Sequence, residues 1–247
     1  MLKHPRVIAL LKRYQPQIAF VQARLSPQAY LGLFLTLGAL VFIGAIWLFG
    51  GIAEDVLSGD PLTVTDIQVA NWFHAHSTPV LTQLMLWITL LHNAAGISAF
   101  VLIFALFLIA KRDWYWLLSL VIIVPGGMLF NNVAMKYVFH RARPHFDDAV
   151  LSLTTYSFPS GHAATATLFY GVLAAYLVTQ VGEWRRRVQI VLGALLIIVL
   201  VALSRIYLGV HYLSDVLAAF AEGIAWLALW LTAIHTLRRH RARNSLP

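Results

Sequence analysis

Three short strings place cations, histidines and one carboxylate at the ends of apolar runs. They are Lys136 through Arg143-Pro144, then Pro159-Ser160-Gly161-His162, then Ser204-Arg205 through His211 and Asp215. Cations can hold the oxygens of a phosphate, one histidine can attack phosphorus, and a second can protonate the departing alcohol. Lys136 and Arg143 are seven residues apart, close to two helical turns, so both share a face if the helix continues to Pro144. Ser160 suits a helix N-cap, whose first turn offers unpaired N–H groups to an anion, and Gly161 would let a phosphate approach the backbone. His211 and Asp215 stand at i and i+4, so one helical face carries both; the carboxylate would fix the imidazole tautomer and leave the other nitrogen free. Each string also has a bland reading: snorkelling cations, an ordinary helix start, a self-satisfied buried pair. An ionisable pair beside a membrane span is nevertheless a functional candidate by default.

The elements that must position these groups are membrane helices. The chain is 60% hydrophobic and 11% charged over 247 residues, against about 25% charged residues in an ordinary globular protein. Several apolar stretches approach or exceed the roughly 20 residues that span a bilayer as a helix. The pattern predicts an all-α polytopic fold, a six-transmembrane-helix bundle with crossings at about 30–52, 80–110, 114–138, 161–181, 188–207 and 212–236. The second run is long for one straight span and is interrupted by His92, Asn93 and Gly96. Pro125-Gly126-Gly127 sits mid-span, where it kinks the third crossing or provides a small-residue contact. Residues 1–28 read as a basic amphipathic segment on the inner leaflet, 29–237 as the six-span domain and 238–247 as a basic tail. The apolar run beginning near Tyr30 reads as an uncleaved first span rather than a signal peptide. With no cysteine, disulfides and thiolate chemistry are excluded.

Charge fixes the expected orientation. With a cytoplasmic N-terminus, Lys3, Arg6, Lys12, Arg13, Arg24, Lys111, Arg112, Arg185, Arg186, Arg187, Arg238, Arg239, Arg241 and Arg243 all lie inside, 14 of the 18 cations. The region 54–79 carries Glu54, Asp55, Asp60 and Asp66 with no Lys or Arg, as an external loop should. The four remaining cations, Lys136, Arg141, Arg143 and Arg205, fall outside against the bias, and three belong to the strings. The net charge of +8 is thus explained by the bilayer, and no nucleic-acid partner is expected.

In combination the strings resemble the signature of the phosphatidic acid phosphatase type 2 superfamily: K-x6-R-P, then P-S-G-H, then S-R-x5-H-x3-D. Every fixed position matches, at Lys136, Arg143 and Pro144, at Pro159, Ser160, Gly161 and His162, and at Ser204, Arg205, His211 and Asp215. The resemblance implies a membrane lipid phosphate phosphatase needing no metal and no cofactor. It implies that Lys136, Arg143 and Arg205 hold the phosphate with Ser160 and Gly161. His211, oriented by Asp215, would form a phosphohistidine, and His162 would act as acid and then base. Undecaprenyl diphosphate, phosphatidic acid, phosphatidylglycerol phosphate and lipid A phosphate are the implied substrates, handled at the external face of a bacterial inner membrane with both termini cytoplasmic.

Two other readings keep the strings. Vanadium haloperoxidases resemble the family in the same positions but are soluble, which six spans oppose. A non-catalytic lipid-binding or transport protein needs only the cations, which leaves His162 and the His211–Asp215 pair without a purpose. Outside the strings, His140, Arg141 and His145 read as an exposed basic loop able to meet a headgroup, and Asp147 and Asp148 as solvated acids. His74, His76 and His92 lack ligand-like spacing, and Trp72, Trp87, Trp114, Trp116 and Trp184 suit interfacial belts or core packing.

Overall fold

The computed structural model describes residues 13–26, 32–59, 61–151 and 153–244. Lys3, Arg6, Lys12 and Asp60 lie outside the described residues, as do half of the proposed 1–28 segment and residues 245–247. Among the described residues the structure is all-helical: α1 (Gln15–Leu25), α2 (Leu33–Ser58), α3 (Pro61–Ala75), α4 (Pro79–Leu91), α5 (Ala94–Ala110), α6 (Trp114–Phe139), α7 (Gly161–Gln180), α8 (Trp184–Tyr207) and α9 (Leu213–Asn244). Five of these, α2, α6, α7, α8 and α9, are each long and apolar enough to cross a membrane. α4 and α5 together make a sixth candidate span, bent by 52° between Leu91 and Ala94.

The bend has a local cause. His92 and Asn93 interrupt the helix, and the Asn93 side chain accepts the Gly96 N–H at 2.8 Å, capping α5. Gly96 fits because a Cβ there would stand 2.1 Å from the Leu91 carbonyl oxygen. α6 departs from regularity too: it carries Pro125 and widens into a π turn over Phe130–Met135. Asn132 donates its amide to the Met128 carbonyl at 3.0 Å within this stretch, satisfying a backbone group that lipid would not. Gly127 is a packing contact, since a Cβ would stand 2.4 Å from Leu168 and 3.2 Å from Trp226.

α7 is the inner helix, flanked by α6, α8 and α9, while α9 also runs along α2. Leu108, Leu120, Ile123, Val124, Leu168 and Val172 form the main core beside it. The outward faces of α2, α5 and α8 are covered in exposed Leu, Ile, Val and Phe, as lipid contact requires. Trp116 is buried, whereas Trp72, Trp87, Trp114 and Trp184 are exposed. The region 54–79, expected as an open loop, is largely helical: α3 packs on α2, α8 and α9 and buries Asp66 completely. Helix α9 also passes beyond the expected end at 236 and carries the basic residues Arg238, Arg239 and Arg241 as helix.

Contacts sort the helix ends. Phe34 at the start of α2 meets His235 late in α9, with ring centroids 4.1 Å apart. Arg238 lies over the Tyr115 ring at 4.7 Å, and Trp116 packs on Tyr176 of α7 at 5.7 Å. Lys111, Arg112, Arg185–Arg187 and the end of α9 therefore share one end of the bundle. The motif strings gather at the other. Replacing Gly96 by Ala is expected to cost about 1–3 kcal/mol, since the Cβ meets backbone that cannot rotate away. A lowered thermal midpoint in detergent, with lost activity because the α4–α5 bend faces the site, is the expected result.

Candidate active site

The three strings converge on one cavity of about 200 Å³, lined by Lys136, Arg143, Gly161, His162, Arg205 and His211 together with His92, Asn132 and Thr165. Lys136 comes from the end of α6, Gly161 and His162 from the first turn of α7, Arg205 from the last turn of α8, and His211 from the turn before α9. Lys136 is within Coulombic range of both Arg143 and Arg205. Like charges so placed repel unless an anion sits among them.

The route to this convergence differs from the expected one at two points. α6 stops at Phe139, and His140 turns the chain with φ 47°. Arg143 thus reaches the cavity from an extended loop rather than from the helical face of Lys136. His211 likewise lies outside α9, and Asp215 lies in that helix's first turn. The two meet across the helix start, His211 Nδ1 to Asp215 Oδ2 at 3.3 Å.

Around His211 the bonds assign the tautomer. The ionised carboxylate of Asp215 accepts from Nδ1–H, while Arg143 Nη1 donates to Nε2 at 3.1 Å. Nε2 is therefore the unprotonated nitrogen, engaged by Arg143 beside the cavity that both residues line, and an unprotonated imidazole nitrogen can act as a nucleophile. Arg143 also binds the Thr155 carbonyl at 2.7 Å, the Tyr156 carbonyl at 3.0 Å, the Thr155 hydroxyl at 3.0 Å and the Val210 carbonyl at 2.5 Å. It is a hub that fastens the 144–158 loop against the turn before α9.

Ser160 occupies the N-cap position of α7, yet its side chain caps nothing. Its Oγ is wholly buried and without a hydrogen-bond partner, and Arg205 Nε is buried and unpaired as well. Arg205 lines the cavity, whereas Ser160, fully buried, does not. Arg205 is held by Nη1, which donates to Thr89 Oγ1 of α4.

Several residues here escape a sequence reading. Arg141, expected on an exposed loop, is a buried bridge: Nη2 to Asp66 at 2.7 Å and Nη1 to Asp215 at 2.6 Å. Asp66 is the other half of that bridge. His92, without ligand-like spacing, lines the cavity and joins the Tyr170 hydroxyl at 2.8 Å. Glu222 of α9 accepts from Asn131 of the π turn at 2.7 Å; an acidic residue inside an apolar run was the available signal. His74 pairs with Asp148 at 3.2 Å on the surface, and Asp147 is fully exposed.

Comparison with known proteins identifies the family. The PAP2 superfamily model matches residues 113–239, just over half of the chain. The chain belongs to the PAP2 superfamily. It is similar to phosphatidylglycerophosphatase B of Bacillus subtilis, 36% identical over 154 residues that cover 59% of this chain and 71% of the relative. Lipid A 1-phosphatase of Rhizobium etli is 36% identical over 121 residues, 45% of this chain and 46% of the relative. The undecaprenyl-diphosphatase of Sulfolobus acidocaldarius is 34% identical over 129 residues, 50% of this chain and 57% of the relative. Among solved structures, the transmembrane PAP2 type phosphatidylglycerolphosphate phosphatase from Bacillus subtilis superposes with a TM-score of 0.66. It is 25% identical and the match covers 83% of this chain and 97% of that one. The chain is accordingly an integral-membrane enzyme of the lipid phosphatase class.

Burial pushes the His211 imidazole down to about 4, with the Asp215 hydrogen bond and charge opposing and Arg143 and Arg205 assisting. The unfolded chain would protonate this histidine near 6.5. As pH falls through that value the unfolded state takes up the proton first, so this contribution to stability is complete above about 6.5 and is lost towards 4. Thermal midpoints should therefore decline across that window, and His211→Gln should flatten the decline.

Proposed function

We propose that this PAP2 enzyme hydrolyses the phosphate of a membrane lipid without a metal, through a phosphohistidine on His211. The observation that carries the reading is the shared cavity. Three cations surround it, His211, whose unprotonated Nε2 accepts from Arg143, lines it, and His162 stands on its wall.

In this mechanism Lys136, Arg143 and Arg205 hold the non-bridging phosphate oxygens, with the Ser160 hydroxyl and the first-turn N–H groups of α7 supplying further donors. Clustered cations then balance the charge that a metal ion balances in other phosphoryl transfers. His211 Nε2 attacks phosphorus while Asp215 holds the Nδ1 proton. The bond from phosphorus to the lipid oxygen breaks, and protonated His162 gives its proton to that oxygen. Neutral His162 then takes a proton from water, whose oxygen attacks phosphorus and breaks the P–N bond. Inorganic phosphate leaves, His211 is restored, and His162 carries its proton again.

The substrate is a phosphorylated membrane lipid whose tail stays among the helices. Phosphatidylglycerol phosphate is the first to test, because the relative bearing that activity in its name matches over most of its own length. Undecaprenyl diphosphate, lipid A phosphate and phosphatidic acid follow. The cation distribution supports a cytoplasmic placement of the basic helix ends, and on that reading the cavity faces the exterior of a bacterial inner membrane.

Purified enzyme in detergent should release phosphate from phosphatidylglycerol phosphate at an unchanged rate in excess EDTA. His211→Ala should abolish turnover, and His162→Ala should slow it about 100- to 10,000-fold. Acid-labile phosphate trapped on wild type but not on His211→Ala would complete the expected pattern. Loss of release on chelation alone would overturn the metal-free mechanism, and equal rates in wild type and His211→Ala would overturn the role of His211.

A further inference from the structure

We propose that Arg141 and Asp66 are positioning residues that hold Asp215, and through it His211, in working orientation and charge, from positions that the three motif strings leave unspecified. The proposal rests on the phosphatase reading above.

Asp215 is fully buried and is bonded on both oxygens. Oδ2 receives the Tyr212 N–H at 2.9 Å and His211 Nδ1 at 3.3 Å; Oδ1 receives Arg141 Nη1 at 2.6 Å. The contact to the catalytic imidazole is the longest of the three, so it is the first to fail if the carboxylate turns. The 2.6 Å bond from Arg141 fixes the carboxylate plane from the opposite side.

Arg141 itself is held. Nη2 reaches Asp66 Oδ2 at 2.7 Å, Nη1 also meets Ser214 Oγ at 2.6 Å, and the guanidinium lies over the Tyr212 ring at 4.4 Å. Asp66 has no exposed surface; its Oδ1 accepts the Ser214 N–H at 2.8 Å, and Oδ2 accepts the Ser214 hydroxyl beside Arg141. One guanidinium thus joins two buried carboxylates, one on α3 and one on α9. Such a planar fork serves this geometry better than a point charge on a flexible stem.

The bridge also sets charge. When Nε2 bonds to phosphorus the imidazole becomes cationic, and Asp215 must stabilise it without taking the Nδ1 proton. Arg141 sets a positive charge against Asp215 Oδ1, and Asp66 neutralises part of that charge from the other side. Other charges facing the pair are Arg143 from the loop, Arg205 from α8, and His162 and Lys136 from α7 and α6. None of these touches Asp66.

The test compares rate–pH profiles of the full-length enzyme in detergent, with phosphatidylglycerol phosphate as probe and thermal unfolding confirming each fold. Arg141→Gln removes a positive charge beside Asp215, so His211 binds its proton more tightly and the acid limb of kcat moves up by about one unit. Asp66→Asn leaves Arg141 less neutralised, so the limb moves down. Turnover falls about 10- to 100-fold in both, through misplacement, with KM little changed. The double variant should return the limb close to wild type while turnover stays low, and Arg141→Lys should restore the limb better than the rate. If Arg141→Gln does not fold, Asp66→Asn alone decides. An unmoved limb in folded Asp66→Asn, with only a lowered thermal midpoint, would overturn the proposal and leave the bridge as scaffolding. Absence of turnover in wild type would instead overturn the phosphatase reading on which it rests.

Discussion

A carboxylate with no exposed surface in an apolar helix bundle requires hydrogen-bond donors, and Asp215 has three on its side chain and a fourth on its backbone carbonyl. Its side chain draws in Arg141, the Tyr212 N–H and His211, while its backbone carbonyl accepts the Ser160 N–H at 3.0 Å. Those bonds join the start of α9 to the start of α7, to the loop after α6 and, through Arg141, to α3. An unpaired charge in so poorly hydrated a place would cost several kcal/mol. The same bonds that avoid this cost bring the phosphate-facing groups together, so the demand for satisfaction and the geometry of catalysis have one solution.

Departures from helical regularity cluster around that solution. The π turn of α6, the left-handed His140, the bend between α4 and α5 and the positive φ of Gly209 all border the cavity or the loop that closes it. Regular helices present side chains at fixed angular steps, and six of them crossing a membrane cannot all direct their terminal residues at one point. Each irregularity re-aims a terminus, and each is covered locally: Asn132 satisfies the Met128 carbonyl and Asn93 caps α5. Strain of this kind persists where the surrounding structure over-determines it. Tight crossings such as Gly38 on Thr232 and Gly171 on Leu227 hold the helices together elsewhere in the bundle.

The spans were legible in the sequence, as were the strings that supply six of the residues lining one cavity, because both signals are local. Hydropathy needs about 20 neighbouring residues, and the strings keep fixed spacings. What was not legible depends on residues distant in the chain. Asp66 and Ser214 are 148 positions apart, and an acidic residue in a polar stretch looks like a solvated loop residue until α3 folds onto α9. Arg141 sits two residues from Arg143 and reads as more basic loop, because nothing local distinguishes a cation bridging two buried carboxylates from one facing water. Helix continuity misled twice, at Lys136–Arg143 and at His211–Asp215. In both cases spacing compatible with a helix was met by a turn, since side-chain convergence rather than periodicity set the backbone there.

The two populations of cations follow from the same distinction between local and long-range pairing. The basic residues at the bundle end shared by Lys111, Arg187 and Arg238 are mostly exposed and so respond to the membrane's charge asymmetry. The cations at the opposite end are engaged inside the protein. Arg141 is neutralised by Asp66 and Asp215, whereas Arg143 is anchored by neutral loop carbonyls and Arg205 is buried against the Thr89 hydroxyl. A cation neutralised within the fold, as Arg141 is, presents little charge to lipid headgroups. Lys136, Arg143 and Arg205, whose Nε is unpaired, carry the charge left over. On the proposed mechanism the phosphate balances that remainder, which makes substrate the last ionic partner of a charge network otherwise closed by folding.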